Sequence, residues 1–312
     1  MPGPDPAVVD ESRRNLVYAE LPGTQLLLDL YRPVTERAVP VVLFFHSGGW
    51  RSGTKDDCKV RWLTRYGFAV ASVSYRLLPR HRFPVQVQDA KAAVRFLRGH
   101  SAELGLHPEQ VVASGLSAGA YLACMLGLTA GHPDLEPPPT GPVVRADDPY
   151  PHPGLPQRVE PAPDAPTHVN AVVNFAGFTD LVVLQKLPSR RGERAGRSPE
   201  ARLLGHAVHD DLGRARLANP IDHVHPDAPP FLHVHGELNE VTPLDQTRRF
   251  HAALQAAGVT SKVVLVRGSG HNSRRLFDTP SIRDRVADYL HRHLDTDGVR
   301  VVQQEMRPRD AG

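Results

Sequence analysis

Two cysteines in 312 residues, Cys58 and Cys124, allow at most one disulfide and exclude a disulfide framework. Both are expected to stay reduced, with Cys124 acting as a small core residue. Long apolar runs are missing too. No window approaches the ~20 residues that a membrane-spanning helix needs, so no membrane association is expected. The first residues, Met1-Pro2-Gly3-Pro4-Asp5-Pro6, have neither the basic start nor the apolar stretch of a secretory signal, and the expected location is cytoplasmic. There is little excess charge: 37 Lys and Arg face 34 Asp and Glu, a net of +3. The arginine pairs Arg13-Arg14, Arg190-Arg191 and Arg274-Arg275 are dispersed, and aromatics make up only 6%. Without a basic stripe carrying interleaved aromatics, nucleic acid is not an expected partner.

What is present is an alternation of strand and helix signals. Residues 1–12 are polar and Pro-rich and read as a loose arm. Asn15–Glu20 and Gln25–Tyr31, separated by Pro22-Gly23, read as a hairpin. Val39–Phe45 and Ala69–Tyr75 are continuous β-branched and aromatic runs, the pattern of strands buried on both faces. Pro84–Gly99 has helical spacing, with Val87, Ala90, Ala93, Val94 and Leu97 on one face. Gln110–Ala113 reads as a short strand and Tyr121–Leu128 as an apolar helix free of charge.

Residues 131–167, with twelve prolines, form a Pro-rich insertion on the surface, since proline suits neither a ladder nor a helix interior. Beyond it, Ala171–Phe175, Pro230–His235 and Lys262–Val266 read as strands, and Leu244–Ala257 and Ser281–Leu294 as helices. Residues 180–218 suggest a small lid and 295–312 a polar tail. The expected architecture is a single α/β domain over 1–312, a three-layer sandwich around a mostly parallel sheet of about eight strands.

Chemistry enters with Gly115-Leu116-Ser117-Ala118-Gly119, a G-x-S-x-G pattern between an apolar strand and an uninterrupted helix. A nucleophile at a sharp strand-to-helix turn needs small neighbours, because side chains on either side would clash. A base for Ser117 is expected late in the chain, in a loop after the last strand. Of 17 histidines, His271 in Gly268-Ser269-Gly270-His271 has that position. A tetrahedral intermediate also needs main-chain N–H donors. His46-Ser47-Gly48-Gly49-Trp50 directly follows the strand Val39–Phe45, so Gly48 and Gly49, with Ala118, are the expected oxyanion donors. Trp50 is expected to pack behind that loop and to line the substrate pocket.

Further stretches carry a family resemblance. Ser74-Tyr75-Arg76-Leu77-Leu78-Pro79, Phe83-Pro84-Val85-Gln86-Val87-Gln88-Asp89, Ala92–Leu97 and Ala218-Asn219-Pro220-Ile221 ahead of Pro229-Pro230 are among them. Together they resemble the hormone-sensitive-lipase-like and bacterial feruloyl-esterase-like branch of α/β-hydrolases, over about residues 38–130 and 170–293. The kynurenine formamidase branch is similar, with a related HGG-x-W loop. The resemblance implies the α/β-hydrolase fold and cleavage of a carboxylic ester of a small molecule through an acyl-enzyme, without a cofactor. Non-hydrolytic chemistry on the same scaffold (elimination, cyclisation or acyl transfer) and amide hydrolysis of the kynurenine-formamidase kind stay open as alternatives, because fold does not fix reaction. A homodimer is also open.

The acid slot departs from that pattern. The families carry H-G-D-x-D-x-x-V-P, whereas this chain reads His235-Gly236-Glu237-Leu238-Asn239-Glu240-Val241-Thr242-Pro243. Asn239 occupies the place of the catalytic aspartate, and an amide there does not stabilise an imidazolium as a carboxylate does. Three arrangements are open: Glu240 as a substitute acid, Asn239 as an orienting group for His271, or a register shift that brings in Glu237 or Asp245. His223-x-His225 and His233-x-His235 have spacings that would suit zinc, but lack supporting ligand partners, so no metal is expected.

Overall fold

The structure, a computed structural model, describes residues 10–21, 24–137, 164–187 and 196–294. Eight strands form one sheet: β1 (Asp10–Leu21), β2 (Thr24–Pro33), β3 (Val39–Phe45), β4 (Ala69–Val73), β5 (Leu106–Leu116), β6 (Ala171–Phe175), β7 (Phe231–Gly236) and β8 (Ser261–Val266). Their spatial order is β1-β2-β4-β3-β5-β6-β7-β8. The β1–β2 and β2–β4 pairs are antiparallel, and every pair from β4 through β8 is parallel. The mostly parallel eight-stranded sheet expected from the alternation is therefore present.

The helices are α1 (Val85–Gly99), α2 (Ser101–Leu104), α3 (Ala118–Leu128), α4 (Leu181–Leu184), α5 (Pro199–Leu204), α6 (Leu212–Leu217), α7 (Leu244–Ala256), α8 (Arg275–Asp278) and α9 (Pro280–His293). Alternation along β3 divides the core into two layers. Val39, Val41, Leu43 and Phe45 join Val87 and Ala90 of α1, Tyr121 and Leu122 of α3, and Phe250 of α7. Val42 and Phe44 face the other way, toward Leu63 of the 3-10 turn 61–66 and Ile282, Val286 and Leu290 of α9. Period-2 side chains with helices on both faces explain why β3 and β4 read as unbroken apolar runs. Burying a large aliphatic or aromatic side chain contributes about 1.5–3 kcal/mol.

Some boundaries differ from the sequence reading. Asp10, Glu11 and Ser12, expected in the loose arm, belong to β1 and oppose Pro33, Arg32 and Tyr31 of β2. Their pairing uses main-chain groups, which polar side chains do not advertise. Strand β5 begins at Leu106 rather than near Gln110, because Leu106 also opposes Val39. Residues 1–9, 138–163 of the Pro-rich insertion, 188–195 and the tail 295–312 lie outside the described residues.

The roots of the insertion are tied down: Glu136 accepts from Lys91, Arg95 and Thr167, and Arg98 donates to the carbonyl of Pro166. The described parts of 180–218 form α4, α5 and α6. Their Leu181, Leu184, Leu203, Leu204 and Ala215 join the same core layer as α1 and α3. No helix among the described residues is long and apolar enough to cross a membrane. Cys58 and Cys124 are unpaired.

Candidate active site

Ser117 stands between β5 and α3, at φ 56° and ψ −114°, a left-handed conformation rare for a residue with a side chain. The turn exists because its neighbours are bare. A Cβ on Gly119 would overlap the Phe45 carbonyl, and one on Gly115 would overlap the backbone of Gly119. With β5 buried on both faces and α3 buried along its whole length, the strained serine is held from below and behind. The hydroxyl sits at the N-terminal end of α3, where the first N–H groups have no intrahelical acceptor and the helix dipole favours negative charge.

Two further loops converge on this point. His271, five residues beyond β8, brings Nε2 to 2.9 Å from Ser117 Oγ. Its Nδ1 lies 3.1 Å from Asn239 Oδ1 and 3.3 Å from Thr242 Oγ1. Asn239 is buried in the loop after β7. Its Oδ1 accepts from the main-chain N–H of Val241 at 3.1 Å and of Thr242 at 3.0 Å. Those two donors require an oxygen, which fixes the carboxamide orientation and leaves Oδ1, not Nδ2, facing the imidazole. Nδ1 of His271 then carries the proton and Nε2 the lone pair that accepts from Ser117 Oγ. Burial lowers the His271 pKa to about 4, so the ring is neutral at pH 7.

Glu240, one of the three arrangements left open, is corrected as a substitute acid: it is exposed, and the described partners of Nδ1 are Asn239 and Thr242. The register-shift arrangement meets the same obstacle. Asp245 is exposed, and Glu237 turns away to accept from the N–H of Gly268 at 3.0 Å.

The loop after β3 packs against the elbow, where a Cβ on Gly119 would also overlap the His46 carbonyl. Gly48, Gly49 and Trp50 take positive φ of 113°, 59° and 60° in succession. A Cβ on Gly48 would overlap the Ser52 carbonyl, so glycine is required there. The turn is closed by Arg51 N–H donating to Gly48 O at 3.0 Å and by Leu78 N–H donating to Trp50 O at 2.8 Å. Beneath it, the Tyr75 hydroxyl donates to His46 O at 3.0 Å, and the two rings stack at 4.3 Å. Trp50 needs a correction. It is fully buried, with its ring 5.1 Å from Tyr121 and 5.2 Å from Phe178, so it braces the loop rather than forming a pocket wall.

Three of the four imidazoles in the two histidine pairs that suggested zinc already have hydrogen-bond partners. His233 contacts Asn174 and Ser261, and His235 contacts Thr242 O and Thr247. His223 contacts Leu217 O. Among the described residues no group of three His, Cys, Asp or Glu could hold a metal ion. Sequence reasoning missed Thr242 and Tyr75. The first had a signal, a hydroxyl three residues after the acid slot; the second had none, because its partner is main chain.

A family model described as BD-FAE matches residues 28–254, and one described as TAP-like protein matches residues 214–298. Esterase LipQ of Mycobacterium tuberculosis is 28% identical over 277 residues, covering 86% of this chain and 59% of that protein. Esterase LipC of the same organism is 29% identical over 266 residues, covering 83% and 59%. The chain thus spans about three-fifths of the length of these curated relatives. Among solved structures, a truncated carbohydrate esterase from gut microbiota superposes with a TM-score of 0.76 at 24% identity, covering 94% of this chain and 99% of that one. The propionate-bound esterase Est2 of Thermogutta terrifontis gives a TM-score of 0.67 at 24% identity, covering 92% and 94%. These two likenesses show a shared fold.

Proposed function

This chain belongs to the BD-FAE family, within the α/β-hydrolase superfamily, and from that premise we propose that it is a serine hydrolase cleaving carboxylic esters of small molecules. The observation that carries the proposal is the 2.9 Å contact between Ser117 Oγ and His271 Nε2, made across 154 residues of sequence. Its relatives LipQ and LipC are named esterases, which supports the same reaction class.

In the proposed sequence of steps, His271 Nε2 takes the Ser117 proton as Oγ attacks the ester carbonyl. The oxyanion is held by N–H groups of Gly48, Gly49 and Ala118, with the α3 dipole behind them. The carbonyl re-forms, and the alcohol leaves with the proton from His271. Water, activated by the same imidazole, adds to the acyl-enzyme and releases the acid and free Ser117. Asn239 keeps the proton on Nδ1 throughout and takes up no charge. A single catalytic domain, a cytoplasmic location and a homodimer belong to the same proposal; fractionation and size-exclusion chromatography test the last two.

The direct test is turnover of p-nitrophenyl acetate with fluorophosphonate labelling. Wild type is expected to turn over and to label at Ser117. Ser117→Ala is expected to lose labelling and to drop kcat by on the order of 10⁴-fold or more. Full turnover in that variant would end the nucleophile assignment.

A further inference from the structure

Besides Glu237, which stands for an aspartate and turns away to the Gly268 N–H, the acid segment departs from the family pattern at two positions, not one. Asn239 stands for aspartate, and Thr242 stands for the valine before the proline. The two departures touch: Asn239 Nδ2 donates to Thr242 Oγ1 at 2.9 Å. We propose that Thr242 is a positioning residue, forming with Asn239 an uncharged pair that orients His271 in place of a single carboxylate. The inference rests on the serine-hydrolase reading of Ser117 and His271.

Proton accounting carries it. A threonine hydroxyl has one proton and two lone pairs. The Thr242 proton goes to the Ala176 carbonyl at 2.9 Å, because a carbonyl only accepts. One lone pair takes the Asn239 Nδ2 proton, and the other faces His271 Nδ1 at 3.3 Å. Asn239 Oδ1 already receives two main-chain N–H groups and faces the same Nδ1. Every atom directed at Nδ1 is therefore an acceptor, so that nitrogen holds the proton. Thr242 is fully buried and its own carbonyl accepts from His235 Nε2 at 2.9 Å, so the hydroxyl is held in place.

The pairing also explains why the two departures occur together. Both oxygens of a carboxylate accept, so aspartate presents the right atom to the imidazole whichever way it turns, and valine suffices beside it. A carboxamide has a wrong way round. With valine at 242, Nδ2 would lose its acceptor and Ala176 its donor. The opposite error is equally specific: aspartate beside Thr242 would set a carboxylate oxygen against hydroxyl lone pairs, unless the hydroxyl abandoned Ala176.

Among the described residues, the charged and titratable groups around His271 are few. His235 on β7 and His46 on the oxyanion loop are buried, with pKa values lowered by desolvation. Glu237 and Glu240 on the acid loop, and Arg274 and Arg275 beyond His271, are exposed.

Kinetics and nitrogen-15 NMR of the histidine side chains test the pair. Thr242→Val is expected to lower kcat about 10- to 100-fold with KM unchanged, and to move His271 away from a pure Nδ1–H tautomer. Thr242→Ser keeps the hydroxyl and should return most of the rate and the tautomer. Asn239→Asp with Thr242→Val rebuilds the family pattern at these two positions. It should exceed Asn239→Asp alone in kcat and raise the acid limb of the pH profile by about one unit or more.

Wild-type kcat and tautomer in Thr242→Val would overturn the inference, as would Thr242→Ser failing as badly as valine. Should Thr242→Val not fold, the serine variant and the double variant decide alone. If wild type neither turns over esters nor labels, the hydrolase reading fails. The tautomer measurement then still decides what Thr242 does.

Discussion

The two sides of the site are built by different physics. On the nucleophile side, Ser117 is confined by main chain: β5 below, α3 behind, and glycines whose replacement would drive a Cβ into the Phe45 carbonyl or the Gly119 backbone. On the acid side, the loop 237–243 is shaped by side-chain hydrogen bonds, with Asn239 and Thr242 buried between the exposed Leu238, Glu240 and Val241. Steric confinement has no conservative substitute. A hydrogen-bonded loop can exchange its members as long as donors and acceptors still match. This difference lets an asparagine stand in the acid slot while the elbow keeps the G-x-S-x-G pattern.

The largest effect should come from attacking the confined side. Gly119→Ala is expected to destabilise the fold by more than about 4 kcal/mol or to yield no folded protein, because the obstructing atoms are backbone. A urea midpoint equal to that of wild type would break the comparison. Next in size is acid. His233 is lowered to about 3, and His235 and His271 to about 4, in each case chiefly by desolvation. All three are neutral in the fold near pH 5, while the unfolded chain binds protons at the ordinary 6.5. Stability is therefore fully present above pH 6.5 and declines toward pH 3, by about 1.4 kcal/mol per pH unit for each histidine in the window. Melting temperatures that stay level from pH 7 to pH 4 would contradict this burial.

Catalysis should stay level over most of that window. An active base must be neutral, so the acid limb of kcat/KM is expected near pH 4 in protein that remains folded. Asn239→Ala is a smaller perturbation of structure than Gly119→Ala but removes what orients His271. We expect kcat to fall about 100-fold, with a loss of about 1–3 kcal/mol from the Val241 and Thr242 N–H groups left without an acceptor. Smallest of all is Glu240→Gln. The side chain is exposed, and kcat should stay within about twofold of wild type. A drop as large as that of Asn239→Ala would return Glu240 to the acid role.

Much of this was legible from residues alone. The runs at Val39–Phe45 and Ala69–Tyr75, the helical face of Val87, Ala90 and Val94, and the alternation after residue 170 are enough for a mostly parallel sheet covered on both faces. These signals are local, because burial writes its period directly into the chain. Ser117, Gly48, Gly49 and Ala118 were legible for a related reason: a tight turn limits side-chain size at fixed spacing. Trp50 was only half legible, since its composition says aromatic and apolar but not whether the ring meets solvent or Tyr121.

By itself, then, the chain determined its layered sheet, the sharp turn at Ser117 and the glycine-bearing loop beside it, all of which follow from periodicity and steric exclusion among near neighbours. Only the tertiary structure decided what faces Nδ1 of His271. That outcome depends on β7 and β8 lying side by side and on the Ala176 carbonyl lying where the Thr242 hydroxyl can reach it. Hydrogen bonds between distant loops depend on distances and angles that no spacing along the chain records.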